Sequence, residues 1–296
     1  MLHSPIESYA YLQKKFLIKR EDLIGGLFNG IKQRKISSIV DEIIRLNPKK
    51  IVIKGSFQSN FVIAITLQLL PLKIPIEFYF HRFPSSSDEK GNFFFLKQII
   101  GNASIFSMES FGLNHLNDAY IIEEGGDQLA GYLGLLSLGE ELISQIKNQN
   151  LTLEEIWVDA GTGSSAICLL YTLSKNDLFL PLQIVSMHDD AEQFEKRRKE
   201  IFFKLNTHFN DEVTHQIPYA FYRPTIGQSF GSTNNTLFKF IKEFAKETGV
   251  FLDPIYSAKL FMTFLEKGKV EKSLLIHSGG TLSLTGFFEP FRALKD

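Results

Sequence analysis

Short apolar runs and amphipathic stretches alternate along most of the chain. KKIVIKG (49–55) is a β-branched run closed by glycine, and QSNFVIAITLQLL (58–70) follows with helical character. IPIEFYFH (74–81) predicts a strand, SSSDEKGNFFFLKQII (85–100) a polar loop entering a helix, and ASIFSM (103–108) a further strand. Beyond the midpoint, LEEIWVDAG (153–161) predicts a strand running into glycine, followed by the apolar helix SSAICLLYTLS (164–174). LQIVSMH (182–188) predicts a strand before the charged helix DAEQFEKRRKEIFFKL (190–205). In NNTLFKFIKEFAKETG (234–249), Leu237, Phe240, Ile241 and Phe244 recur at helical spacing and Gly249 supplies the stop. SLLIHSGG (273–280) predicts the last strand. Strands alternating with helices imply crossover units and parallel sheets, so the expected class is α/β. In such folds ligands sit where the carboxyl ends of strands meet helix N-termini.

Composition narrows the partners. At 296 residues the chain can bury a large core, as one large α/β unit or two domains, and 44% hydrophobic with 22% charged residues is ordinary for a globular protein. A net charge of −1 steers nothing toward nucleic acid or an anionic membrane. The single cysteine, Cys168, excludes an internal disulfide and fits a reducing compartment. With no leader pattern and no spanning apolar stretch, a cytoplasmic protein is the expectation. His81, His188 and His277 lie at strand ends without metal-site spacing, Cys168 falls on an apolar helix face, and EKRRKE (195–200) has the spacing of a solvated helix face.

Three strand ends carry glycine and polar residues. In DAGTGSSA (159–166), Gly161 and Gly163 let backbone approach a ligand, while Thr162, Ser164 and Ser165 offer hydroxyls and free amides at a helix start. Such a turn favours a phosphate, although it lacks the GK[ST] ending and the dinucleotide spacing; plain strand-to-helix punctuation is the alternative. In KGSFQSNF (54–61), Ser59 and Asn60 fall at a helix start, where capping is the simpler role. HSGGT (277–281) is the third. A lysine, Lys32, follows the glycine-rich GGLFNGI (25–31) and precedes Arg34 and Lys35. A solvated helix start explains it; so does a Schiff-base lysine for pyridoxal 5′-phosphate, its amine activated by burial or by Arg34 and Lys35 pointing inward.

Order and spacing sharpen this choice. FLIKREDLIGGLFNGIKQRK (16–35), GSFQSNF (55–61), IIEEGGDQLAGYLG (121–134), WVDAGTGSSA (157–166), GVFLDPIYSAK (249–259) and IHSGGT (276–281) run nearly end to end. In this order they resemble the motifs of fold-type II pyridoxal-phosphate enzymes, within the branch of D-cysteine desulfhydrase and 1-aminocyclopropane-1-carboxylate deaminase. The resemblance implies a tryptophan synthase β-like fold of two three-layer domains containing parallel sheets, with the cofactor in the cleft. Residues 1–34 and 123–296 would form the large domain and 35–122 a small inserted one. By position, Lys32 would be the Schiff-base lysine and the base for the α-proton, and Tyr256 would lie beside the ring and assist catalysis. Asn60 would hydrogen-bond the ring hydroxyl, Ser59 would meet the substrate carboxylate or help move protons, and Ser278 would face the pyridine nitrogen. Gly161, Thr162, Gly163, Ser164 and Ser165 would cradle the phosphate. The resemblance further implies a homodimer and α,β-elimination from a small amino acid to pyruvate and ammonia. A neutral hydroxyl at the ring nitrogen leaves a weaker electron sink, which suits a substrate with a β-leaving group.

Departures from the pattern bear on activity. The expected asparagine before the lysine is Ile31, an expected second tyrosine is Phe230, and the residue after Tyr256 is Ser257 rather than glutamate or threonine. Apolar Phe61, Val62 and Ile63 follow the QSN motif. Ser257 points toward the desulfhydrase side; Ile31 and Phe230 leave open a cofactor-binding protein that has lost catalysis. A phosphate-ligand protein that binds no pyridoxal is the third alternative.

Overall fold

The computed structural model describes residues 2–101, 105–112, 118–214, 217–227 and 231–294. Two sheets organise them. Strands β1 (Ile6–Tyr11), β2 (Lys14–Lys19), β7 (Glu155–Ala160), β8 (Leu182–Ser186), β9 (Tyr219–Tyr222) and β10 (Ser273–Ile276) form a six-stranded sheet in the order β1-β2-β10-β7-β8-β9. Strands β3 (Lys50–Gly55), β4 (Ile76–Phe80), β5 (Ile105–Ser107) and β6 (Ala119–Ile122) form a second, in the order β5-β4-β3-β6. All pairings are parallel except β1 with β2, an antiparallel hairpin at the edge of the larger sheet.

The larger sheet has a core on each face. Ile156, Val158 and Ala160 of β7, with Ile184, Leu274 and Ile276, pack against α4 (Leu129–Asn148), α5 (Ser164–Lys175) and α6 (Ala191–Phe209). Their alternating neighbours Trp157, Val185 and Leu275 pack on α7 (Asn235–Thr248) and α8 (Ser257–Lys267). That period-two division puts Asp159 on the Trp157 side of the strand, toward α8. The smaller sheet has its own core, with Ile36, Ile39 and Ile43 of α1 (Lys32–Leu46), α2 (Asn60–Leu69) and α3 (Gly91–Ile100). Each fully buried Ile, Leu or Phe removes enough apolar surface to contribute roughly 1.5–3 kcal/mol.

α1 joins the two cores, and a buried ionic cluster fixes it to the larger one. Arg34 donates to Glu21 at 2.7 and 2.8 Å and to Glu141 of α4 at 2.8 Å, while Lys19 of β2 also pairs with Glu141. Of the two charges that could have activated Lys32 by pointing inward, Arg34 is thus neutralised by two carboxylates. EKRRKE also departs from a wholly solvated face, since Arg197 is half-buried and pairs with Asp127.

The backbone before α1 touches the turn after β10. Gly30 and Gly279 form an isolated antiparallel bridge, and the amide of Ile31 donates to the carbonyl of Ser278 at 2.9 Å. Gly30 has φ +120°, and a Cβ there would lie 2.3 Å from the Ser278 oxygen. Gly30→Ala is expected to cost about 2–4 kcal/mol, from a strained backbone and a lost close approach, measurable as a lower urea midpoint.

Candidate active site

Helix starts and strand ends of the two sheets come together around Lys32. Lys32 occupies the first turn of α1, half-buried, with its Nζ 5.2 Å from the centre of the Tyr256 ring. Tyr256 stands just before α8 and leans over the turn after β7: a Cβ on Gly161 would lie 3.1 Å from Tyr256 Cε1. Burial first, then the nearby Asp253, Asp159 and Glu124 carboxylates, hold its phenol protonated well above the ordinary range.

The turn expected to hold a phosphate opens α5. Gly163 precedes the helix in a left-handed conformation, φ +78°, and Ser164 and Ser165 are the first helical residues. Thr162 is exposed, and its hydroxyl lies 3.3 Å from that of Ser164. Into this helix start projects Lys35, with its Nζ 2.6 Å from Ser164 Oγ and 3.0 Å from the Gly125 carbonyl. Both partners are neutral. Burial, together with the positive charges of Lys32 and Arg197, depresses the Lys35 ammonium to about 7. A buried lysine at a helix N-terminus with neutral partners calls for an anion, and a phosphate dianion fits the amides, hydroxyls and amine gathered there. Sequence reasoning took Lys35 for a member of a charge cluster. The signal that finds it is its position three residues beyond Lys32, almost one helical turn along the same face.

The smaller sheet contributes α2. Ser59 caps that helix, accepting from the Phe61 amide at 3.2 Å, which leaves its hydroxyl proton for another acceptor. Asn60 Oδ1 accepts from Asn92 at 2.5 Å. Its amide nitrogen would lie 2.6 Å from a Cβ on Gly280, which brings it against the HSGGT turn. Asn29 ties that turn to the Lys32 segment, its Oδ1 accepting from Gly280 N at 2.9 Å. Thus Lys32, Tyr256, the 161–165 turn, Ser278 and Asn60 converge, with Ser59 at the adjoining helix start.

Several departures acquire physical reasons. Ile31 is buried in the core under α4 and α5, with only its backbone amide turned to Ser278. Ser257 is fully buried and committed: it accepts from the Asp253 amide and donates to the Asp253 carboxylate, both at 2.8 Å. Phe61, Val62 and Ile63 fill the smaller core. Phe230 lies outside the described residues. His277 is buried against the Phe251 carbonyl at 2.8 Å, while His81 and His188 pair with Glu124 and Asp189. Cys168 is buried in α5, its thiol pushed up to about 12 by burial.

Asp159 is a further residue that sequence reasoning missed, because it reads as the polar end of a strand. Its carboxyl is buried beside Ser278, and desolvation raises it to about 7, against the smaller opposing effects of the Ser278 hydroxyl and Lys32. The folded chain then holds a proton that the unfolded chain releases near pH 4, so stability falls as pH rises from about 4 to about 7. Asp159→Asn is expected to remove that slope and to recover up to ~4 kcal/mol at pH 7.5 in the cofactor-free chain. Urea unfolding at pH 4.5 and 7.5 measures it; an unchanged slope would contradict the assignment.

No helix among the described residues is long and apolar enough to cross a membrane. No protein-family model matches the chain. The chain is 24% identical over 295 residues to the mitochondrial bifunctional D-cysteine desulfhydrase/1-aminocyclopropane-1-carboxylate deaminase of Arabidopsis thaliana, covering 90% of this chain and 72% of that one. It is likewise 24% identical over 313 residues to the D-cysteine desulfhydrase of Serratia proteamaculans, covering 94% and 90%. Among solved structures, that of a 1-aminocyclopropane-1-carboxylate deaminase homologue superposes with a TM-score of 0.82 at 19% identity, over 99% of this chain and 94% of that one. The chain has the architecture of fold-type II pyridoxal-phosphate enzymes, and its relatives along nearly its whole length are D-cysteine desulfhydrases and 1-aminocyclopropane-1-carboxylate deaminases.

Proposed function

We propose that the chain binds pyridoxal 5′-phosphate on Lys32 and catalyses α,β-elimination from a small amino acid with a β-leaving group, of the D-cysteine type. The observation that carries this reading is the convergence of the Lys32 amine, the Tyr256 ring and a helix start that holds a buried, carboxylate-free lysine. When bound, the cofactor supplies an aldehyde that captures an amino group and a conjugated ring that draws electrons from the α-carbon.

The chain's own residues do the rest. The amides and hydroxyls of residues 161–165 and the Lys35 amine would hold the phosphate. Lys32 would accept the substrate's α-proton at Nζ. Tyr256, buried and protonated beside the Lys32 amine, would limit water there. Asn60 would hold the ring hydroxyl, the Ser59 hydroxyl would donate to the substrate carboxylate, and Ser278 would serve the ring nitrogen. Loss of the β-substituent and hydrolysis then give pyruvate and ammonia.

Separate sheets and cores support reading residues 1–34 with 123–296, and 35–122, as two domains that close on substrate. A cytoplasmic homodimer completes the proposal, by analogy with the branch. Purified protein loaded with the cofactor and given a panel of D- and L-amino acids is expected to release pyruvate from those bearing a β-thiol or a similar leaving group. No release from any member would overturn the enzymatic reading.

A second reading, a cofactor-binding relative without turnover, is favoured by the burial of Ile31 in the core, where it can offer a substrate nothing. A yellow protein that is inert toward the whole panel supports it. A colourless protein that still binds inorganic phosphate supports instead a phosphate-ligand protein without pyridoxal.

A further inference from the structure

Asp159 has no part in the chemistry above, yet it faces the same space. It is 8% exposed, and its Oδ2 is buried without a hydrogen-bond partner among the described residues. Around it stand Lys32 from α1, Asp253 and Tyr256 from the segment before α8, and Ser278 from the turn after β10. Asp253 is saturated, accepting from the amides of Ile255, Tyr256 and Ser257 and from the Ser257 hydroxyl. With Asp253 saturated, the Asp159 carboxylate beside Ser278 is the one of the two that retains a spare acceptor. A buried carboxylate oxygen left unpaired is costly, and an N–H donor carrying positive charge compensates it best.

We propose that Asp159, alongside the Ser278 hydroxyl, accepts the proton-bearing ring nitrogen of bound pyridoxal phosphate and keeps that nitrogen protonated. The assignment rests on the proposed function and deepens it. A hydroxyl alone would leave the ring neutral and weakly electron-withdrawing; a carboxylate partner makes it a stronger sink. The site would then tolerate substrates whose β-substituent departs reluctantly, because the ring carries more of the developing charge.

The test is nitrogen NMR of the full chain loaded with pyridoxal 5′-phosphate enriched in ¹⁵N at the ring position, at pH 7.5. The native protein is expected to show the shift of a protonated pyridine. Asp159→Asn, which keeps the side-chain shape, is expected to move it to the unprotonated position while the cofactor stays bound. An unprotonated ring in the native protein overturns the proposal even if the variant fails to fold, and so does a protonated ring that Asp159→Asn leaves unchanged. Bound cofactor with the wrong nitrogen state sinks this inference alone. Absence of bound cofactor sinks the proposed function with it.

Discussion

Lys32→Ala is expected to lower pyruvate release by on the order of 10³-fold or more, the scale at which positioned acid–base and covalent groups act. The lysine is assigned two duties, capture of the aldehyde and acceptance of the α-proton, and alanine performs neither. The fold should survive, because Lys32 is half-buried in the first turn of α1 and alanine suits a helix. Far-ultraviolet circular dichroism and the urea midpoint check that condition. Lys32→Arg keeps a positive charge at this position beside Tyr256 but cannot serve as the amine. If arginine retained near-native pyruvate release, charge rather than covalent capture would be the function of this position.

Lys35→Met is expected to act in opposite directions on stability and on cofactor affinity. The buried ammonium titrates near 7 in the folded chain and near 10.5 when unfolded. Between those values the unfolded chain binds the extra proton, so stability rises with pH; below about 7 the burial cost is fully present. Methionine removes that cost, so the cofactor-free variant should be more stable than the native chain at pH 6, with the difference shrinking by pH 10. Loss of a charge-assisted hydrogen bond to a phosphate dianion should weaken pyridoxal phosphate binding about 10–100-fold. Absorbance titration measures the second effect and denaturant unfolding the first. A variant that is destabilised yet binds cofactor normally would make Lys35 an ordinary structural residue.

The alternating β and α pattern was legible wherever a strand is buried on both sides. IVIK, IWVDA and LLIHS read as continuous apolar runs because β3, β7 and β10 are interior strands covered by helices. The hairpin of β1 and β2 was less visible, since the edge strand β1 and its neighbour β2 mix charged and apolar residues. Strands β6 and β9, four residues each and mostly half-buried, carry too little pattern to stand out. Within the site, glycines and hydroxyls at strand ends announced themselves through turn chemistry. Lys35 and Asp159 did not, because what marks them is a tertiary fact: a charge buried opposite neutral or missing partners. Arg34 shows the converse, a charge beside the key lysine that the fold neutralises with Glu21 and Glu141.

Reduction of the cofactor-loaded protein with borohydride, followed by tryptic mass mapping, tests the central claim most directly. The account predicts one phosphopyridoxyl adduct, on Lys32, at near-stoichiometric yield. Saturated protein whose Lys32 peptide stays unmodified, or whose label falls on Lys35 instead, would contradict it.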